Sequence, residues 1–486
     1  MYFNFSDILG NLVCEIRGDI NGEYHQVTRD SRKVEAGAIF TAVKGVSFDG
    51  HDYIDQALLS GAKAIVAEHL PSGADGVVVS DSAAADALLQ RHFYGVPDTA
   101  LDLFGVTGTN GKTTNVYILE HIFNQCDVPC GLLSTIENHL GEKPVKSFAT
   151  TPDATVLYRS FAEMRKNSLK SAVFELSSHA LHQKRVHGVK LRGAILTNIT
   201  RDHIDYHGSA ENYFQAKKLC FTKLLDSECG VAVINVDDSG GERMARELAG
   251  FCRVITFGSV PEAEWQISDL QSNLDGIKFR LKNYQHEYIV NSSLFGKHNA
   301  ENLTGAILLA IDYGISPEQV LSAVAEPIRI PGRLERYTDS EGVFYFVDYA
   351  HTPDALDRVL GTLKKDVPGR LFAVFGAGGD RDQGKRSEMG RAASRHADKL
   401  IITSDNPRSE DPLDIINDIV SGVPTDADYQ IEPDRRNAIR AAVTATRPGD
   451  AVLISGKGHE DYQEIKGIRY DFSDAVELGK LLEELK

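Results

Sequence analysis

One segment narrows the possible folds more than any other. Leu101-Asp-Leu-Phe-Gly-Val-Thr107 is an apolar run of strand length. It leads into Gly108-Thr109-Asn110-Gly111-Lys112-Thr113-Thr114, where a helix begins at Lys112. A continuous apolar strand needs cover on both faces, which places it in a parallel α/β sheet. The glycines let backbone N–H groups turn inward around phosphate oxygens, and the helix N-terminus adds partial positive charge. In such a loop Lys112 reaches the β- and γ-phosphates and the Thr113 hydroxyl ligates Mg²⁺. The generic pattern G-x4-G-K-[ST] is not strictly met, because Val106 holds its first glycine position.

The strand–helix rhythm continues through Ala172–Glu175, Gly193–Asn198 and Val231–Asn235. Upstream, Ala38–Val43, Ala62–Ala67 and Gly76–Val79 mark a smaller α/β unit that ends in a linker, Tyr94-Gly-Val-Pro97-Asp-Thr. Downstream of Ile330-Pro-Gly-Arg333, apolar runs recur at Phe344–Val347, Leu371–Phe375, Lys399–Thr403 and Ala451–Ile454. At about 150 residues per domain, the 486 residues divide into three α/β domains, 1–98, 99–331 and 332–486. Residues 263–290 alternate polar and apolar side chains, as an antiparallel insertion would.

Composition excludes some partners. With 52 Lys+Arg against 69 Asp+Glu, the net charge is −17, which opposes general binding to nucleic acid or an anionic membrane. No apolar run is long enough to span a bilayer, and the first residues lack a basic then apolar leader. The six cysteines are scattered without ligand spacing, so neither disulfides nor a zinc site is expected. Together these features imply a cytoplasmic protein without membrane insertion.

Polar clusters follow the strands. Glu175 ends the strand of Val173-Phe-Glu175-Leu-Ser177-Ser178-His179, and a carboxylate at a carboxyl strand end near a phosphate loop suits Mg²⁺. Thr197-Asn-Ile-Thr-Arg201-Asp202-His203-Ile-Asp205-Tyr206-His207 leaves another strand at the same sheet edge. In Lys297-His298-Asn299-Ala-Glu-Asn302 the two asparagines share one helix face. In the third domain, polar loops follow three strands: Gly378-Gly379-Asp380-Arg381-Asp382, Ser404-Asp405-Asn406-Pro407-Arg408 and Ser455-Gly456-Lys457-Gly458-His459-Glu460.

GTNGKTT without the leading glycine is the loop form of the Mur ligase and folylpolyglutamate synthetase superfamily, and the resemblance to Mur ligases spans nearly the whole chain. It implies an N-terminal domain for a uridine nucleotide, a central ATPase domain and a C-terminal Rossmann-like domain for an amino acid. It implies ATP contacts at 108–114, at Asn299 and Asn302, and at Arg333 and Asp348 from Pro331-Gly-Arg333-Leu-Glu335 and Val347-Asp348-Tyr349. Glu175 and His203 join Thr113 as Mg²⁺ ligands. Lys217 of Tyr213-Phe-Gln-Ala-Lys217-Lys218 is carbamylated by CO₂ to serve as another, with Lys218 the lesser candidate. Lys112, Glu175, His203 and Lys217 form the catalytic set. Ser31 of Thr28-Arg-Asp-Ser31-Arg32, Thr150 and Thr151, Ser177, Gln183 and Arg185 contact the nucleotide-sugar peptide. Ala149 replaces an asparagine of some relatives.

The implied reaction is a two-step ligation in peptidoglycan synthesis: a carboxylate is activated by ATP as an acyl phosphate, and an amine displaces the phosphate. The Asp-Asn-Pro-Arg form implies meso-diaminopimelate as the amino acid and UDP-MurNAc-L-Ala-D-Glu as the other substrate. The chemistry agrees, because Arg408 can grip the far carboxylate bidentately, helped by Arg381. Asp405, Asn406, Gly456 and Glu460, beside Pro407, offer acceptors to the ammonium. L-lysine would leave Arg408 unpaired. The alternatives are the same ligation with L-lysine, a folylpolyglutamate synthetase-like ligase, or a nucleotide-switched binding protein. A monomer using only small-molecule substrates is expected.

Overall fold

The computed structural model describes residues 1–45 and 48–485. They form two compact units, one of residues 1–269, 279–290 and 298–325, the other of 270–278, 291–297 and 326 onward.

The first unit carries two large sheets, besides a short antiparallel pair of Tyr2–Phe3 with Gly22–Glu23. The smaller has the order Val13–Arg17, Gly76–Val79, Ala64–Ala67, Ile39–Thr41, Val27–Thr28, with only the first pair antiparallel. One face is covered by Phe3, Phe5 and Leu89, the other by Ile54 and Ala57, which explains why Ala64–Ala67 is apolar throughout. The expected linker is ordered: Arg91 Nε donates to Asp98 at 3.0 Å and Arg165 Nη1 to Gly95 O at 3.0 Å.

In the larger sheet the strand Asp102–Thr107 lies between Ser171–Glu175 and Gly193–Leu196, all parallel. Cys130–Leu133 extends it on one side, Val231–Asn235 and Arg253–Gly258 on the other. The chain places its next strands first to one side of Asp102–Thr107 and then to the other. That makes the carboxyl end of this strand the switch point where an open α/β sheet binds ligands. Residues 263–290, read as an insertion, form the strands Trp265–Asn273 and Gly276–Lys282 and part of Glu287–Ser292. The first of them joins Arg253–Gly258 in parallel.

His139 ties the hairpin at the far edge of this sheet to the helix Lys112–Gln125. Its Nδ1 lies 2.5 Å from Glu120 Oε1 and its Nε2 3.1 Å from Glu137 Oε1. Burial opposes the charge, but hydrogen bonds to the two carboxylates and their negative charges outweigh it and push the imidazole up to about 9. A pKa raised above its unfolded value gives stability that is complete below about 6.5 and disappears as pH climbs through that folded value. His139→Gln should therefore lower the melting temperature at pH 6 by on the order of 2 °C, and the gap to the parent should close by pH 10. Equal gaps at both pH values would exclude the charged imidazole as the cause.

The second unit is a six-stranded sheet in the order Glu335–Thr338, Phe344–Asp348, Ala451–Ser455, Leu371–Phe375, Lys399–Ile402, Tyr429–Ile431, parallel after the first pair. Helices cover both faces, through Leu356, Met389 and Ile416 on one and Ile439 and Leu478 on the other. On the second face Arg435 and Asp474 form a fully buried pair, Nε to Oδ1 at 2.7 Å, and Arg435 Nη2 also donates to Ser455 O at 2.9 Å. Such a pair tolerates the loss of neither partner.

Candidate active site

The strand Asp102–Thr107 delivers the chain to Gly108, whose φ of +147° and close approach to Thr197 leave no room for a Cβ. The neighbouring 197–200 loop holds the turn: Thr109 N donates to Asn198 O and Asn110 N to Asn198 Oδ1, both at 2.9 Å. Gly111, at φ +85°, caps the helix that starts at Lys112. Lys112 Nζ folds back onto Gly108 O and Thr109 O at 3.0 and 2.9 Å. Thr113 is buried in the first turn and Thr114 is half-buried beside it.

Glu175, 1% exposed, ends the adjacent strand. Its Oε1 accepts from Thr113 Oγ1 at 3.0 Å and Thr135 N at 2.7 Å. Both bonds fall on one oxygen, so Oε2 has no hydrogen bond among the described residues. An oxygen left over on a carboxylate that touches the loop threonine fits a hard cation. No three His, Cys, Asp or Glu residues among those described form a metal cluster.

Lys217 approaches the same loop. On the helix Ala210–Leu219 it is 1% exposed, with Nζ 2.7 Å from Gly108 O and 4.6 Å from the Tyr213 ring centre. Lys112 and Lys217 therefore share one carbonyl. Burial first, and the Lys112 charge second, hold the Lys217 amine well below the usual lysine range. A neutral amine is what reacts with CO₂. Lys218 points elsewhere and pairs with Glu247 at 2.8 Å. A π-helical turn, Cys220–Leu224, follows, a distortion found often at functional sites. His203, at φ +50°, is half-exposed and packs edge-on against His179 at 4.7 Å.

On the same unit, Ser31, Gln183 and Arg185 line one cleft of about 780 Å³ together with Arg29, Arg32, Phe40 and Tyr53. Ser31 Oγ donates to Gln56 Oε1 at 3.1 Å, Arg185 Nε to Gln183 Oε1 at 3.0 Å, and Gln183 Nε2 to Tyr206 Oη at 2.9 Å. Arg29 pairs with Asp153 at 2.8 Å. Three arginines on one cleft suit a polyanionic ligand. Thr151 lies deeper: its hydroxyl donates to Glu175 O at 2.7 Å and accepts from Ser177 N at 2.9 Å, fixing the loop that carries Glu175. Ser177 caps the next helix through Ala180 N, and Thr150 accepts from Thr135 Oγ1 at 3.1 Å. Asn299 and Asn302 are buried against the phosphate loop and bonded to one another.

In the second unit, Asp348 accepts from Leu334 N and Ala350 N, each at 2.8 Å. Burial pushes its carboxyl up against the opposing pull of Arg333. The Arg333 guanidinium lies 5.2 Å from the Tyr349 ring centre. The loops after Leu371–Phe375, Lys399–Ile402 and Ala451–Ser455 meet at the carboxyl edge of the sheet. There Asn406 Nδ2 donates to Glu460 Oε2 at 2.8 Å, and Arg408 Nη1 to Gly379 O at 2.6 Å. Gly456 N donates to Asp348 O, Gln463 Nε2 to Asp405 O, and Pro407 O faces Gly379. Arg381 is exposed. The sequence did not single out Lys457, a fully buried ammonium that donates to Asn406 Oδ1 at 3.1 Å and Glu460 Oε2 at 3.3 Å. Its signal was its place between two of the chosen glycine-loop residues. Arg29, Arg32 and Tyr206 were likewise passed over inside motifs that had been noted.

No helix among the described residues is long and apolar enough to cross a membrane. Three family models match: "Mur ligase family, catalytic domain" over residues 23–91, "Mur ligase middle domain" over 106–310, and "Mur ligase, glutamate ligase domain" over 332–458. The chain is 40% identical over 457 residues to the UDP-N-acetylmuramoyl-L-alanyl-D-glutamate–2,6-diaminopimelate ligase of Aquifex aeolicus (strain VF5), covering 94% of this chain and 93% of that one. A solved structure of a ligase of the same name superposes with a TM-score of 0.75 at 35% identity, covering 100% of this chain and 99% of that chain. The Mycobacterium tuberculosis folylpolyglutamate synthase complexed with ADP, at 19% identity and TM-score 0.61 over 76% of this chain and 91% of that one, shares the fold. With all three domain models in order along the chain and identity at this level across nearly its full length, the chain belongs to the Mur ligase family.

Proposed function

We propose that this chain is an ATP-dependent ligase that joins meso-2,6-diaminopimelate to the D-Glu of UDP-MurNAc-L-Ala-D-Glu in peptidoglycan synthesis, acting in the cytoplasm as a monomer of three domains, 1–98, 99–331 and 332–486. The observation that carries the activity is the meeting of Thr113, Glu175 and the buried Lys217 around one phosphate loop. The observation that favours the acceptor is the Arg408 guanidinium held on Gly379 O, in the loop whose Asn406 bonds Glu460 at the same strand edge.

The D-Glu carboxylate attacks the γ-phosphorus of ATP; the new P–O bond forms as ADP leaves with the electron pair. The diaminopimelate amine then attacks the acyl carbon, expels inorganic phosphate and loses a proton to leave the amide. Lys112 and the loop N–H groups hold the transferring phosphoryl group in line and balance its charge. Mg²⁺, when bound, would be held by Thr113, Glu175, His203 and a carbamate on Lys217, and would neutralise phosphate charge. Arg29, Arg32 and Arg185 orient the nucleotide diphosphate, Ser31 and Gln183 line the same cleft, and Ser177, Thr150 and Thr151 contact the peptide end of that substrate beside Glu175. Asp348 holds the Arg333 segment in place. Arg408 and Arg381 take the far carboxylate of the amino acid, and Glu460 and Asp405 its ammonium.

Purified protein with ATP should release ADP only when UDP-MurNAc-L-Ala-D-Glu and an amino acid are both present, and faster with meso-diaminopimelate than with L-lysine. Faster turnover with L-lysine would overturn the acceptor assignment. ADP release that ignores the amino acid would overturn the ligation.

A further inference from the structure

Asn115 belongs to no motif in the sequence, yet it is fully buried in the helix that follows the phosphate loop. Its Nδ2 donates to two acceptors, Gly111 O at 3.2 Å and Asn302 Oδ1 at 2.8 Å. Asn302 Nδ2 in turn donates to Asn299 Oδ1 at 3.1 Å. Three carboxamides thus form a relay with a single polarity. That polarity is anchored, because Gly111 O is a backbone carbonyl and only accepts. Turning the Asn115 amide over would set its Oδ1 against Gly111 O. The fold instead leaves that Oδ1 buried against Gly305 with no hydrogen-bond partner, which the flipped amide would not relieve without opposing two carbonyls. Gly111 is itself required, since a Cβ there would lie 2.5 Å from Asn302 Oδ1.

We infer that Asn115 is a positioning residue for base selectivity: it fixes which end of the Asn302 and Asn299 amides donates, and so selects adenine over a purine with the opposite hydrogen-bonding sense. This rests on the reading that Asn299 and Asn302 face the nucleotide base. The relay occupies Asn302 Oδ1 and Asn299 Oδ1, so these amides have donors to present, which adenine N1 accepts and the N1–H of hypoxanthine opposes. Asn115 touches no part of the nucleotide; it acts through Asn302.

Binding of ADP and of IDP, each measured by calorimetry on the full chain, tests the inference without any turnover. The parent should favour ADP. Asn115→Leu, similar in volume but without a donor, lets the two outer amides turn, and the ADP:IDP preference should fall about tenfold, the scale of one mismatched buried hydrogen bond. Asn115→Asp accepts where Asn115 donates, so it should reduce the preference at least as far. It also provides a second test if the leucine variant does not fold. Equal weakening of both nucleotides with the preference intact would reduce Asn115 to a packing role and overturn the inference. A parent that binds ADP and IDP equally would overturn it too, by removing the base from these asparagines. A parent that prefers ADP but shows no amino-acid-dependent ADP release would withdraw the ligase reading and leave the relay standing.

Discussion

Lys217→Arg is expected to keep the fold and lose turnover, with kcat down on the order of 10³. Arginine stays charged at every accessible pH and does not form the carbamate. In its place the parent has an amine that burial and the Lys112 charge make easier to deprotonate beside Gly108 O. The substitution leaves two cations on one carbonyl and the Thr113–Glu175 pair without its added anion. The checks are steady-state ADP release, the melting temperature, and the intact mass of the parent, which should carry one extra carboxylate. The sign of the pH effect follows from the depressed amine pKa. The lowered pKa enlarges the neutral fraction of the amine at a given pH, and that fraction declines as the solution is acidified, so activity lost on mild acidification in CO₂-free buffer should return with bicarbonate at neutral pH. Parental kcat in Lys217→Arg, or an active enzyme with an unmodified mass, would remove the carbamate from the mechanism.

The second large effect concerns the choice of amino acid. Arg408 is held by its own backbone, with N donating to Glu464 O at 3.0 Å, and by Nη1 on Gly379 O at 2.6 Å. Its Nε and Nη2 have no hydrogen bond among the described residues. Together they form the edge that a carboxylate takes bidentately. Arg408→Ala should lower kcat/KM for meso-diaminopimelate by on the order of 10²–10³ and change that for L-lysine far less, so the ratio between the two narrows. Arg408→Lys keeps the charge but loses the fork, and should fall between the two. Competition assays with both amino acids give the ratio directly. An unchanged ratio in Arg408→Ala would place the selecting contact elsewhere.

Both predictions start from residues legible in the chain. The run Leu101–Thr107 and the loop after it announced a buried parallel strand and a phosphate turn, because a strand covered on both faces has to be apolar throughout and the turn has to be glycine-rich. Glu175, His203, Asp405 and Gly456 were found by position, since polar residues leaving apolar strands collect at the carboxyl edge of a parallel sheet. Lys217 came from a resemblance, and the lowering of its amine pKa from burial that no sequence pattern shows. That the Thr151 hydroxyl holds the backbone on both sides of Leu176 is likewise visible only in the fold.

Asn115, Lys457, the Arg435–Asp474 pair and His139 had no comparable signal. Each is an ordinary polar residue in a helix or strand, or in the shadow of a glycine. Each gains its meaning from a partner that only folding brings near: Asn302 lies 187 residues from Asn115, and Asn406 lies 51 from Lys457. Local chemistry and hydrophobic period, which act over a few residues, determined the α/β class, the phosphate loop and the strand-end clusters. Tertiary structure alone decided which amines are stripped of water, which carboxylate oxygen is left for a cation and which way the buried amides point, because desolvation and hydrogen-bond partnership depend on what packs alongside in space.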